Sequence, residues 1–273
     1  MSFFDRLGAR IDAVDSLLCV GLDPVLERLP SAVEESDLPR WAFNRRIIDE
    51  THEHVAAYKP NIAFYEDYGG WQSLAETIAY ADGKGVPIIL DAKRGDIGHT
   101  ARQYARLLDP EPWGLTNASP DAITVNPWLG EDSLQPFLDR PDKGVFILCR
   151  TSNAGGADIQ ACDLAHGESV YEHVAKLADN WNRNGNVGLV VGATVPEEME
   201  ELREMVPSLP FLVPGVGAQG GDLESAVTAG PAQGVGVINS SRGIIYAGED
   251  SEHFFKAAGV RAKRLKHQLN SYR

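Results

Sequence analysis

A closed (β/α)8 TIM barrel, an α/β fold in a single domain, is predicted by three features of this sequence. Eight short apolar runs recur along the chain, at 17–22, 55–59, 86–90, 122–126, 145–149, 187–191, 211–213 and 235–238. Each ends in a polar or glycine-bearing loop, and helical patterns lie between them. Strands that are apolar throughout, instead of alternating, are buried on both faces, as in a parallel sheet covered by helices. A length of 273 residues suits one such barrel.

The helices follow from spacing. Trp71, Leu74, Ala75, Ile78 and Ala79 form the i, i+3, i+4, i+7, i+8 stripe of a helix lying on a sheet. Tyr171, Val174, Ala175, Ala178 and Trp181 make a second stripe, and Met199, Leu202 and Val206 a third. The third is expected to open with Thr194 and Glu197 as a capping box, with Pro196 in its first turn. Segments 107–121 and 153–167, rich in Pro, Gly, Asn and Asp, read as loop insertions on the barrel. No linker or low-complexity tract divides the chain.

Composition narrows the function. With 43% hydrophobic and 23% charged residues the chain has ample core, and no apolar run reaches the ~18 residues of a membrane span. The opening residues lack the pattern of a signal peptide, so a cytoplasmic location is expected. A net charge of −14 argues against nucleic acid as a partner. Arg outnumbers Lys 17 to 8 while acids total 39, a balance that fits either a salt-rich cytoplasm or a GC-rich genome. Cys19, Cys149 and Cys162 have neither disulfide nor zinc spacing and read as buried, reduced packing residues. His52 and His54 are too close for a zinc helix, so no metal site is expected.

In a barrel of this kind active sites form at the C-terminal ends of the strands. The unusual polar residues fall there: Asp23, Lys59, Asp91 and Lys93, Asn126, Thr151 to Asn153, Pro214 to Gly221, and Asn239 to Gly243. The densest group is Asp91-Ala92-Lys93-Arg94-Gly95-Asp96, at the end of the third run. Strand alternation sends Asp91 and Lys93 to the same side, with Asp96 a short turn beyond. A lysine between two carboxylates keeps its proton, because each opposite charge favours the charged form. Such a lysine is a proton donor.

Gly215-Val216-Gly217-Ala218-Gln219-Gly220 matches the GxGxxG pattern of dinucleotide sites, but no acidic residue for a ribose follows at the required distance. A phosphate cradle after strands seven and eight accounts for it better, with Gln219 as amide donor and Arg242 as a planar fork for phosphate oxygens. The expected substrate is therefore a phosphate monoester.

With these residues assembled, the chain closely resembles the orotidine 5'-phosphate decarboxylase family, in its longer subgroup. The resemblance is carried by Gly21-Leu22-Asp23-Pro24, Tyr58-Lys59-Pro60-Asn61, Leu90 through Gly98, Pro214 through Gly221, and Ser241-Arg242-Gly243. It implies loss of CO2 from orotidine monophosphate to give uridine monophosphate, the final step of pyrimidine nucleotide synthesis, without metal or organic cofactor. It implies that Lys93 stabilises and protonates a C6 carbanion, with Asp91 beside the departing carboxylate. Asp96 would reach in from the second subunit of a homodimer, with Thr100 at the shared edge. Asp23 and Lys59 would meet the ribose, Ser152 the pyrimidine, and Pro214, Gln219 and Arg242 the phosphate end. Three rivals stay open: a magnesium-dependent sugar-phosphate lyase of the same superfamily, a Schiff-base aldolase using Lys93, and a nucleotide-binding barrel without catalysis.

Overall fold

The computed structural model describes residues 1–216, 221–249 and 251–273. Its eight parallel strands are β1 (Leu18–Gly21), β2 (Ala57–Lys59), β3 (Ile89–Arg94), β4 (Ala122–Val125), β5 (Gly144–Arg150), β6 (Val187–Val191), β7 (Phe211–Val213) and β8 (Val237–Ser240). They pair in the order β2-β1-β8-β7-β6-β5-β4-β3. Parallel bridges Tyr58↔Ile88 and Asn61↔Asp91 bring the two ends together. The result is a (β/α)8 barrel whose last seam is stitched at the mouth by the Asp91 N–H donating to the Pro60 carbonyl at 2.9 Å.

Register decides what faces inward. Lys59 bonds Asp91 across the interior, so Cys19 and Gly21, which pair with Ala57 and Lys59, also face inward. Tyr58 points the other way, and its hydroxyl meets Thr51 at 2.7 Å on the covering helix Pro39–Thr51. Thr124 and its β5 partner Phe146 belong to the inner face. Phe3 and Phe4, on the first helix Phe3–Val14, pack edge-on against Phe146 at centroid distances of 6.0 and 5.7 Å. That helix stoppers the barrel at the end opposite its active mouth.

Most elements follow the sequence pattern, and the departures have local causes. Leu74, Ala75 and Ile78 are buried on the helix Gly70–Gly83, but Trp71 is 37% exposed and stacks on Trp113 of the 107–121 segment at 4.5 Å. The second stripe is the helix Val170–Trp181, opened by a capping box between Ser169 and Glu172. The box expected of Thr194 and Glu197 does not form. Pro196 takes the first position of the helix Pro196–Met205, which makes Val195 its cap and leaves the Thr194 hydroxyl to donate to the Ser152 carbonyl at 3.1 Å.

Strand β8 begins two residues later than its apolar run because Ala232 and Val235 close a tight turn around Gln233 and Gly234, both with positive φ. Asn239 and Ser240 are consequently strand residues, not loop residues. Segments 107–121 and 153–167 hold only short turns, among them Glu111–Trp113 and Ala157–Gln160. Cys19 and Cys149 are buried as expected, whereas Cys162 is exposed because the second of these segments lies on the surface. Among the described residues no helix is long and apolar enough to cross a membrane.

Replacing Phe3 with alanine removes a fully buried ring from the barrel's closed end. The expected cost is about 3–5 kcal/mol, measured from urea unfolding. An unchanged midpoint would show that the first helix is not part of the barrel core.

Candidate active site

The strand ends converge on one buried anion. The Asp91 carboxylate accepts from Lys59 Nζ at 2.7 Å on Oδ2, and from Lys93 Nζ at 2.6 Å and Thr124 Oγ1 at 2.9 Å on Oδ1. Asn61 Nδ2 stands farther off, at 3.5 Å. Burial alone would push the Asp91 carboxyl up, but the two ammonium groups, by charge and by hydrogen bond, outweigh it and hold the acid well below the usual carboxylate range. Burial likewise works against a charged Lys59, and Asp91 and Asp23 outweigh it, so that its proton is held above the ordinary lysine range. The two lysines differ in reach. Lys59 is 6% exposed and locked in place, whereas Lys93 is 46% exposed and opens toward the mouth.

Simple alternation does not bring Lys93 to Asp91. Leu90 pairs with Ile123 and Arg94 with Val125, so Asp91, Ala92 and Lys93 together oppose only Thr124. This bulge puts Lys93 at φ 48°, in the left-handed region that residues with a β-carbon rarely adopt. Thr124 accepts the displaced Lys93 N–H at 2.9 Å. Thr124 was not among the residues anticipated from sequence, although a lone hydroxyl inside the apolar Ala122–Val125 run was a usable signal.

The other anticipated residues are spread around the same rim. Asp23, after β1, accepts from the Asn61 N–H at 3.0 Å and faces Lys59. Asp96 accepts from the following Ile97 N–H at 2.8 Å and, among the described residues, makes no ion pair with Lys93. Among the described residues of one chain, therefore, Lys93 has one carboxylate partner, not two, and Asp96, half-buried after the bulge, is turned to its own backbone. Thr100 is exposed on the helix Gly98–Ala105.

Thr151 is committed to its own loop, bonding Asn153 Oδ1 at 2.7 Å and Gln160 through both backbone and hydroxyl. Ser152 is not: its backbone is held by Thr194, and among the described residues no partner takes its hydroxyl. Asn126 caps a turn through the Trp128 N–H at 3.0 Å, a structural role. Pro214 follows β7, its carbonyl accepting from Ala193 N–H at 2.9 Å. Arg242 starts the short helix Arg242–Ile245, exposed and without an ion pair among the described residues. Gln219, with Gly217 and Gly220 of the glycine motif, lies outside the described residues.

Among the described residues, a cavity of about 900 Å³ lies between Tyr68, Trp71 and Trp113 and contains none of these charged groups. A cavity of about 450 Å³ lined by Trp128, Thr151, Asn153 and Gln160 borders the Ser152 loop. The histidines, scattered in sequence, are less so in space: His166 and His173 both approach Glu168 Oε1, at 2.6 and 2.5 Å. Lys176 donates to the other oxygen of that carboxylate at 2.6 Å, which makes the group a polar cluster on the connection between β5 and the helix Val170–Trp181.

Comparison with known proteins agrees with this geometry. A model of the orotidine 5'-phosphate decarboxylase / HUMPS family matches residues 16–256. Orotidine 5'-phosphate decarboxylase of Haloarcula marismortui is 64% identical over 281 residues, covering 100% of both chains. Among solved structures, OMP decarboxylase of Leishmania donovani is 43% identical with a TM-score of 0.82, covering 100% of this chain and 98% of its own. A protein from Toxoplasma gondii titled as a putative orotidine-monophosphate decarboxylase has a TM-score of 0.87 at 36% identity, covering 99% of this chain and 96% of its own. Matched from end to end by these relatives, and with Asp91 between two lysines at its mouth, the chain belongs to the orotidine 5'-phosphate decarboxylase / HUMPS family.

Proposed function

We propose that this protein is a carboxy-lyase that converts orotidine 5'-monophosphate to uridine 5'-monophosphate and CO2, the last step of pyrimidine nucleotide synthesis. The observation that carries the reading is the Lys59–Asp91–Lys93 array, in which a buried carboxylate presents a half-exposed ammonium to the mouth. Breaking the bond from C6 to the carboxylate leaves its electron pair on C6. The Lys93 ammonium stabilises that developing charge and then delivers its proton to C6. CO2 departs, and the neutral lysine takes a proton back from water.

Fixed charges aimed at developing charge act selectively on the transition state, and the Asp91 and Lys59 contacts set this geometry before substrate arrives. Lys93 supplies both positive charge and proton, so the proposed chemistry needs no metal or organic cofactor. A magnesium-dependent relative would need carboxylate ligands where this chain has Lys59. A single proton donor contributes ~10²–10⁴-fold, far below the ~10¹⁷-fold that enzymes attain. Binding energy from the rest of the nucleotide must contribute. In this reading Asp23 and Lys59 hold the ribose and Ser152, the hydroxyl free of its own loop, meets the pyrimidine. Pro214, Gln219 and Arg242 form the phosphate end.

The same proposal includes a homodimer in the cytoplasm, with Asp96 and Thr100 completing the partner's site. Ile97, Trp128 and Leu129 support it: all three are exposed, and Gly95 lies close enough to Asn126 for an added β-carbon to meet its carbonyl at 2.9 Å. Asp96 therefore lies beside exposed apolar side chains, as a residue serving another subunit would.

Turnover of orotidine monophosphate, followed by ultraviolet absorbance in a strong chelator, is expected for the native chain and should vanish in Lys93→Ala while the fold persists. Loss of native activity on chelation would favour the metal-dependent relative, and near-normal kcat in Lys93→Ala would remove that lysine from proton delivery. Mixing inactive Lys93→Ala and Asp96→Ala proteins should recover activity, since a hybrid dimer would contain one intact site. No recovery, with subunit exchange verified, contradicts a shared site.

A further inference from the structure

The bulge in β3 leaves one backbone donor and one charged acceptor for a single side chain to serve. Asp91, Ala92 and Lys93 oppose Thr124 alone, so the regular ladder has no partner for the Lys93 N–H. The Thr124 hydroxyl accepts that N–H at 2.9 Å and donates its own proton to Asp91 Oδ1, also at 2.9 Å. Lys93 Nζ bonds the same Oδ1, at 2.6 Å. Thr124 is 1% exposed, so neither of its bonds has water as a ready substitute. Lys93 meanwhile sits at φ 48°, a conformation that persists only where the surroundings impose it.

We propose that Thr124 is a positioning residue for the decarboxylation, holding the Lys93 backbone in its left-handed turn and the Asp91 carboxylate in the orientation that meets the Lys93 ammonium. The inference rests on the decarboxylase reading for its kinetic consequence, but its structural content concerns only this chain. A threonine suits the task for two reasons. Its hydroxyl accepts and donates at once, and its branched β-carbon restricts χ1, so the oxygen stays between the two groups. Valine has nearly the same shape and neither capability.

The test compares Thr124→Val and Thr124→Ser with the native chain, reading kcat and KM for orotidine monophosphate, uridine monophosphate affinity by calorimetry, and deuterium exchange at C6 of uridine monophosphate. Thr124→Val should lower kcat and C6 exchange at least tenfold, equivalent to about 1.4 kcal/mol, with nucleotide affinity changed less than twofold. Thr124→Ser should restore most of both rates. Parallel losses in kcat and affinity, or equal losses in the valine and serine proteins, would overturn the proposal. Thr124→Ala substitutes for valine should that protein not fold. A crystal structure of the variant lacking the hydroxyl is independent of turnover. Lys93 should leave positive φ or break its contact with Asp91, and a Lys93 unchanged in both respects would contradict the assignment even if the native protein were inert on orotidine monophosphate.

Discussion

A carboxylate buried between two ammonium groups is the interaction on which the rest of this site depends. Removing Asp91 from water is costly, and an unpaired anion there would be untenable. Lys59 from β2, Lys93 from β3 and Thr124 from β4 compensate for it, so the anion ties three adjacent strands together at the barrel's last seam. The sign of its contribution to stability follows from its lowered pKa. A carboxyl held below its unfolded value of about 3.9 stabilises the fold above that value, and the contribution is lost only as pH falls through the folded one.

That arrangement also divides labour between the lysines. Lys59 is enclosed, its charge spent on Asp91 and Asp23, whereas Lys93 has one partner among the described residues and an open side. The bulge of β3 creates the difference: a regular strand would have kept Lys93 in the ladder, but three residues opposite one lift it toward the rim. Strain in the Lys93 backbone is the local consequence, and the Thr124 hydroxyl offsets part of it.

The fold was legible in the sequence because parallel strands buried on both faces are short, uninterrupted apolar runs; β6 and β7 coincide with theirs residue for residue. The charged core of the site was legible for the same reason, since charges at the mouth of such a run are conspicuous. What could not be read depended on partners distant in sequence. Whether Trp71 faces the core or stacks on Trp113 is decided by where the 107–121 segment folds back. The role of Thr124 appears only once β4 is paired out of register with β3. Thr194 looked like a helix cap until Pro196 moved the helix start by one residue. Asp96 was expected to reach Lys93 from a second subunit, and among the described residues of one chain the two make no ion pair.

Asp91 remains an anion because Lys59 and Lys93 hold it so. Its carboxyl carbon, assigned in carbon NMR by comparison with Asp91→Asn, reports the charge directly as pH is lowered. A resonance that passes through the ordinary carboxylate range without titrating is the expected result. A midpoint near 4 would mean that the ammonium groups do not control Asp91, and the account of the site would be wrong.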